Sequence, residues 1–366
     1  MKKIIAIAAG IIAIIVIGIV LISVRETDTE VTREQTGVGF ILNGSIDDHS
    51  WGQSHYEGME QCAEGLNLKV FYRENVPADE QCKAEMKALI DQGCKIIICN
   101  SFGYAEYVQE MAEEYRSIYF FHATGVAEAG NLATYFGRIY QMRYLSGIVA
   151  GLQTETNEIG YVAAYPISEV NRGINAFTLG VRAVNPDATV YVEWTQSWTG
   201  DKEAEDATNR LLREHDIDVL TIHTDTNRAL EIAEEKGIWS IGYNMDNIDL
   251  YPNTFLTAPV FEWENFYEPH ILECLQGKFV GKHYWEGAET GIVALAPLSG
   301  NVKKGIAQEV EREQQKFLSG TFDVFYGPIT DTEGNVRVGE MECMTDQEML
   351  NAFDWYVEGV VSGEEE

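Results

Sequence analysis

The residues best equipped for chemistry stand where apolar, strand-like runs end. The run 37–42 is followed by Asn43, Ser45, Asp47, Asp48, His49, Ser50 and Trp51, and the run 95–99 by Asn100, Ser101 and Tyr104. Later runs deliver Tyr165, then Trp194, Ser197 and Trp198, then Thr224 and Asp225, then Asn244 and Asp246. Aromatic rings offer faces to a flat ligand, and carboxylates accept from its N–H or O–H groups. The set therefore suits a neutral planar molecule with polar edges. Trp194 and Trp198 flank a polar TQS segment, which favours ligand contact over core packing. Trp51 occupies a helical position that would also suit a core, and Asp225 could equally cap the helix that follows it.

Other chemistries find little support. No GxGxxG or GxxxxGKS loop follows a strand, so a phosphate has no cradle. The seven histidines are scattered, and Asp47 beside Asp48 reads as a turn and helix cap, so no metal is expected. Neither a GxSxG elbow nor an HExxH helix occurs, and the chain is expected to be no enzyme and to need no cofactor. Six cysteines lack metal-ligand spacing and are expected to be free and structural, although a Cys62–Cys82 bridge would be possible.

The elements that must position these residues alternate. Strands are expected over 37–42, 68–72, 95–99, 117–121 and 132–136, with helices between them. After a helix over about 140–149 the alternation restarts with strands over 159–164, 189–194, 219–223, 239–243 and 254–260. Nearly continuous apolar runs such as Ile96, Ile97, Ile98 and Cys99 fit parallel strands covered on both faces. The fold class is thus α/β, with two Rossmann-like lobes, each a mainly parallel sheet flanked by helices. The first lobe is expected over 37–137 plus about 255–285, the second over 138–254 plus about 286–366. A strand pair is expected from 322–327 and 334–338.

Ile4 to Val24 is apolar and long enough to span a bilayer, and Lys2 and Lys3 precede it. Residues 1–36 are therefore expected to be a membrane anchor and tether, with the lobes outside the cell; a cleaved signal is the competing reading. The remainder is strongly acidic. Net charge is −32, from 58 acidic and 26 basic residues, which disfavours nucleic acid and anionic lipid as partners.

Four stretches, GRIYQMRYLSGIVAG, IGYVAAYP, NAFTLGVRAVNP and IGYNMD, resemble the basic membrane protein family of substrate-binding proteins for ABC importers, the purine nucleoside receptor type. The similarity runs over about 38–325. It implies a type I periplasmic-binding-protein fold closing on a purine base or nucleoside, with a membrane permease and its ATPase as partners. It also implies that Asp48, Ser50 and Trp51 contact the base, that Phe177 stacks on it, and that Asp246 binds ribose hydroxyls. Trp51-Gly52 departs from the family's Phe-Asn, FHATG lacks an aspartate common there, and no lysine stands near Val260 to Trp263. The chain is closer to members with a tryptophan-rich site, proposed to bind a free base. A membrane-anchored sensor of the same fold, or a receptor for another small polar solute such as a sugar, is the alternative.

Overall fold

The computed structural model describes residues 35–363, apart from 126 and 128. The anchor expected at 4–24 lies outside the described residues. Among the described residues no helix is long and apolar enough to cross a membrane.

Two six-stranded sheets form the two lobes. In the first, Thr36–Ile41 (β1), Leu68–Arg73 (β2), Cys94–Cys99 (β3), Tyr119–Ala123 (β4) and Leu132–Gly137 (β5) lie in the order β2-β1-β3-β4-β5. In the second, Glu158–Ala163 (β6), Thr189–Trp194 (β7), Val219–His223 (β8), Trp239–Ile241 (β9) and Phe255–Thr257 (β10) repeat it as β7-β6-β8-β9-β10. The ladders within both sheets are parallel. In β3, Ile96 and Ile98 enter one hydrophobic core while Ile97 and Cys99 enter another, so the unbroken apolar run serves both faces.

The expected strand at 254–260 is two strands. β10 stays on β9, whereas Pro259–Phe261 (β11) turns away and pairs antiparallel with Val293–Leu295 (β13). The chain thus leaves the second sheet at Ala258 and returns to the first lobe, where His283–Glu286 (β12) extends the sheet beside β5. The late strand pair forms later than expected: 322–327 is not a strand, and Ile329–Thr330 (β14) pairs with Val336–Val338 (β15) after Pro328, which has no N–H to give a ladder. Val360–Ser362 (β16) then closes the outer edge of the second sheet against β7.

Helix ends follow their residues. Asp79 caps Glu80–Asp91 by accepting from the Gln81 N–H at 2.8 Å, and Gly237 ends Arg228–Lys236 in the left-handed region at φ +71°. The motif-rich helices Tyr140–Gln153 and Ser168–Val184 cross backbone to backbone. A Cβ on Gly147 would lie 2.1 Å from the Phe177 carbonyl oxygen, and one on Gly180 would lie 2.0 Å from that of Tyr144. These glycines explain much of two quoted motifs by packing alone. All six cysteines are unbridged, and five are buried.

Candidate functional site

An order of 2-1-3-4-5 reverses direction between its first and third strands, and the crevice beyond their carboxyl ends is where such sheets take ligands. In the first lobe that point carries Asn43 and Asn100. The Asn43 N–H donates to Asn100 Oδ1 at 3.0 Å and so bridges the two strand exits. In the second lobe the corresponding exits carry Tyr165 and the Thr224–Asp225 pair. A cavity of about 370 Å³, part of it open to solvent, lies between the lobes. The first lobe contributes Asn43, Trp51, Asn100, Ser101, Phe102 and Thr124, and the second Glu169, Trp198, Asp225 and Tyr243.

Trp51 opens the helix Trp51–Ala63, and its indole Nε1 donates to the Asn100 carbonyl at 2.8 Å. Edge-on contacts with His55, Phe261 and Trp263 fix the ring further. Asp48 lies one loop earlier and spends its carboxylate on that helix: Oδ1 accepts from Ser50 N and Gln53 N, and Oδ2 from Gly52 N. Burial nevertheless raises its pKa. Gly52 fits this turn because a Cβ there would stand 2.1 Å from the Ser45 carbonyl oxygen. Ser101 lines the cavity, and its carbonyl accepts from His122 Nε2 at 2.7 Å. Burial pushes His122 down to about 4, so that ring is neutral.

Across the cleft, Trp198 lines the cavity and its carbonyl accepts from the Asp225 N–H at 2.7 Å. Asp225 is buried, and its carboxyl is pushed well up by desolvation and then by the neighbouring Asp48 and Glu169 charges. Asn244 Nδ2 donates to Asp225 Oδ1 at 3.2 Å and to Ser50 Oγ at 3.0 Å, tying the lobes together. Asn227 and Asn247 both donate to the His49 carbonyl, which holds the cleft closed. Glu169 is also raised by burial, against the opposing pull of Arg172 and Arg143. Behind the cavity wall the Arg143 guanidinium lies 4.0 Å over the Tyr243 ring. That buried cation offsets part of the carboxylate field without touching the cavity.

Trp51, Ser101, Trp198 and Asp225 thus meet at one cavity; Asp48 lines an adjoining depression that shares Asn43 and Asp225 with it, and Ser50 is met by Asn244 across the lobes. The other four expected residues do not reach it. Tyr104 is fully buried in the first lobe and donates to the Val76 carbonyl at 2.6 Å. Phe177 is eight residues beyond Glu169, roughly 12 Å along its helix at 1.5 Å per residue, and packs edge-on against Tyr161. Trp194 points to the outer edge of its sheet, where Nε1 donates to Ser362 Oγ at 2.9 Å. Asp246 is exposed and accepts from the Ile248 N–H within its own turn, at a separate depression beside Glu57 and Glu262.

Asn43, Asn100, Phe102, Thr124, Glu169 and Tyr243 complete the cavity; the two asparagines stand at the strand exits named from the sequence, but none of the six was among the expected ligand contacts. The asparagines matter most. Among the described residues Asn43 Oδ1 and Asn100 Nδ2 are both buried and without a hydrogen-bond partner, and both residues line the cavity, which leaves one acceptor and one donor for a ligand. Their signal was available, since both directly follow strands.

A family model described as ABC transporter substrate-binding protein PnrA-like matches residues 35–326. A purine-binding protein of Brucella abortus is 33% identical over 330 residues, covering 90% of this chain and 93% of its own length. A putative ABC transporter glucose-binding protein of Haloferax volcanii is also 33% identical, covering 89% of this chain and 81% of its own. The ABC transporter solute-binding protein structure from Aeropyrum pernix superposes with a TM-score of 0.68 at 18% identity, covering 79% of this chain and 92% of that one, a likeness of fold. With this closed, two-lobed cleft and a family match across most of its length, the chain belongs to the Bmp family of PnrA-like ABC transporter substrate-binding proteins.

Proposed function

We propose that the cleft binds a free purine base and presents it to an ABC permease and its ATPase. The observation that carries this reading is that, among the described residues, the Asn100 Nδ2 donor and the Asn43 Oδ1 acceptor are buried without partners in residues that line a cavity with aromatic walls. A purine edge pairs a ring-nitrogen acceptor with an N–H donor, so it satisfies both groups at once. Trp51 and Trp198 supply flat apolar surface, and Asp225 and Glu169 accept from exocyclic or ring N–H groups. The purine-binding relative supports the same class.

The free base is favoured over the nucleoside because Asp246, the expected ribose contact, stands outside the cavity. Closure is part of the mechanism: groups from both lobes complete the contacts only when the lobes meet, so ligand favours the closed state. Tethering by the apolar segment at 4–24 would keep the receptor beside its permease, with the lobes outside the cell.

Trp198 gives the test. It is half-buried, so truncation should spare the fold. Base–aromatic stacking is worth about 1–3 kcal/mol, and Trp198→Ala should weaken adenine about tenfold to a hundredfold in a fluorescence titration, with little change in melting temperature. Unchanged affinity would remove the stacking role and with it the proposed orientation.

A further inference from the structure

The central cavity does not end at its own walls. Phe102, Thr124 and Glu169 also border a second chamber, with about 870 Å³ of partly open space, that continues the cleft towards the edge of the first sheet. Phe136 and Ile167 form its sides, and Leu350 and Asn351 roof it. The roof belongs to the C-terminal segment after residue 326, beyond the stretch matched by the family model. That segment is held in place from both lobes. Arg172 Nη1 donates to the Met349 carbonyl at 2.6 Å, Asn171 Nδ2 to the Phe353 carbonyl at 3.0 Å, and Arg138 pairs with Asp346 at 2.6 Å.

The two compartments differ in chemistry. The central one leaves a donor and an acceptor waiting. In the second, Thr124 Oγ1 donates to the Ala123 carbonyl, His283 Nδ1 meets Thr134 Oγ1 at 2.9 Å and Arg172 holds the roof, so the carboxylate of Glu169 stands at the boundary with the central cavity and the rest of the wall is largely apolar. Phe102, Phe136, Ile167 and Leu350 are left to face an occupant. Hydroxyls placed there would lose water and find engaged partners, whereas apolar groups would gain by leaving water.

We propose that the ligand is a purine base carrying an apolar substituent, read at its polar edge by Asn43 and Asn100, with the substituent in the chamber roofed by Leu350. The inference rests on the purine reading of the central cavity and adds a class of substrate to it. Calorimetric titration of the full-length protein with adenine, 6-benzylaminopurine and 9-benzyladenine tests it, since the two benzyl compounds project from different positions of the ring.

At least one benzylated purine should bind tenfold or more tightly than adenine. Leu350→Gln should remove most of that gain, and Leu350→Trp, which narrows the chamber at its roof, should weaken the benzyl compounds; both should leave adenine affinity within about twofold. Melting curves show whether each variant is folded, and either one suffices. Weaker binding of both benzylated compounds than of adenine, or a gain that survives both substitutions, would overturn the inference and leave the purine reading standing. Failure of adenine and both derivatives to bind would overturn the two together.

Discussion

Asp225→Asn is expected to make the ligand-free protein more stable and the binding of purine weaker, two opposite effects from one atom. The carboxyl is buried within the fields of Asp48 and Glu169, and its one hydrogen bond from Asn244 does not repay its desolvation. Asparagine keeps an oxygen for Asn244 and sheds the charge. Relief of this kind is commonly worth about 0.5–2 kcal/mol at functional sites. A hydrogen bond to a charged group contributes about 1.5–3 kcal/mol, so affinity should fall between about tenfold and somewhat over a hundredfold.

The pH dependence has a definite sign. Because folding raises the Asp225 pKa, the folded protein holds a proton that the unfolded chain releases between the ordinary aspartate value near 3.8 and the raised one. Stability from this group therefore falls as pH rises through that window and stays low above it. The melting advantage of Asp225→Asn should be full at pH values above the raised pKa and shrink as pH is lowered through the window. Wild-type affinity should drop over the same descent, since a protonated carboxyl no longer accepts from the ligand N–H. Asp48 and Glu169 are displaced in the same direction and face the same space, so the comparison with the variant isolates Asp225. A variant less stable than wild type at neutral pH would show that the charge is well compensated.

Gly180→Ala should have the largest effect on the fold. Helix propensity alone predicts a gain of about 1 kcal/mol for replacing an interior glycine by alanine. Here the new Cβ would lie 2.0 Å from the Tyr144 carbonyl oxygen and 2.9 Å from its carbon, backbone atoms that cannot swing aside. The helices Tyr140–Gln153 and Ser168–Val184 would have to part along a wholly buried seam that includes Leu145, Ile148 and Phe177. Overpacking costs about 1–3 kcal/mol in ordinary cores, occasionally more. With no soft side chain to yield, a net loss of about 3 kcal/mol is expected by denaturant unfolding, and the clash outweighs propensity. A neutral or stabilising outcome would mean that the seam is looser than its geometry indicates.

Much of the lobe architecture was readable because parallel strands buried on both faces are written as short unbroken apolar runs. The repeated strand order is not written that way: right-handed crossovers narrow the possible topologies once the alternation is seen but leave the order itself to the structure. β12, β16 and the short helix Asp346–Asn351 escaped because three to six residues carry little periodicity. The strand at 254–260 was read as one since nothing in its composition marks Ala258 as the point of departure to the other lobe.

Strand exits told which loops face the cleft, and Trp51, Ser101, Trp198 and Asp225 are on them. They did not tell direction. Trp194 is the last residue of β7, and its indole bonds to Ser362 of the edge strand β16, while Trp198 in the loop beyond lines the cleft. Tyr104 lies three residues past Ser101, where a turn of helix carries it into the core. At the IGYNMD exit the cleft takes Asn244, whose amide spans both lobes, while Asp246 two residues on faces solvent. Asn43 and Asn100 carry no charge or ring to attract notice, and their importance is visible only once burial shows what each lacks.

The most direct test is calorimetric titration of the protein with adenine, guanine and hypoxanthine beside adenosine, guanosine and inosine, with glucose and ribose as controls. A cleft reading a purine edge through Asn43 and Asn100 should bind at least one free base in a one-to-one complex, at least tenfold more tightly than its nucleoside, and neither sugar. Tighter binding of the nucleosides would contradict the free-base reading, and binding of glucose alone, or of no purine at all, would contradict the ligand class itself.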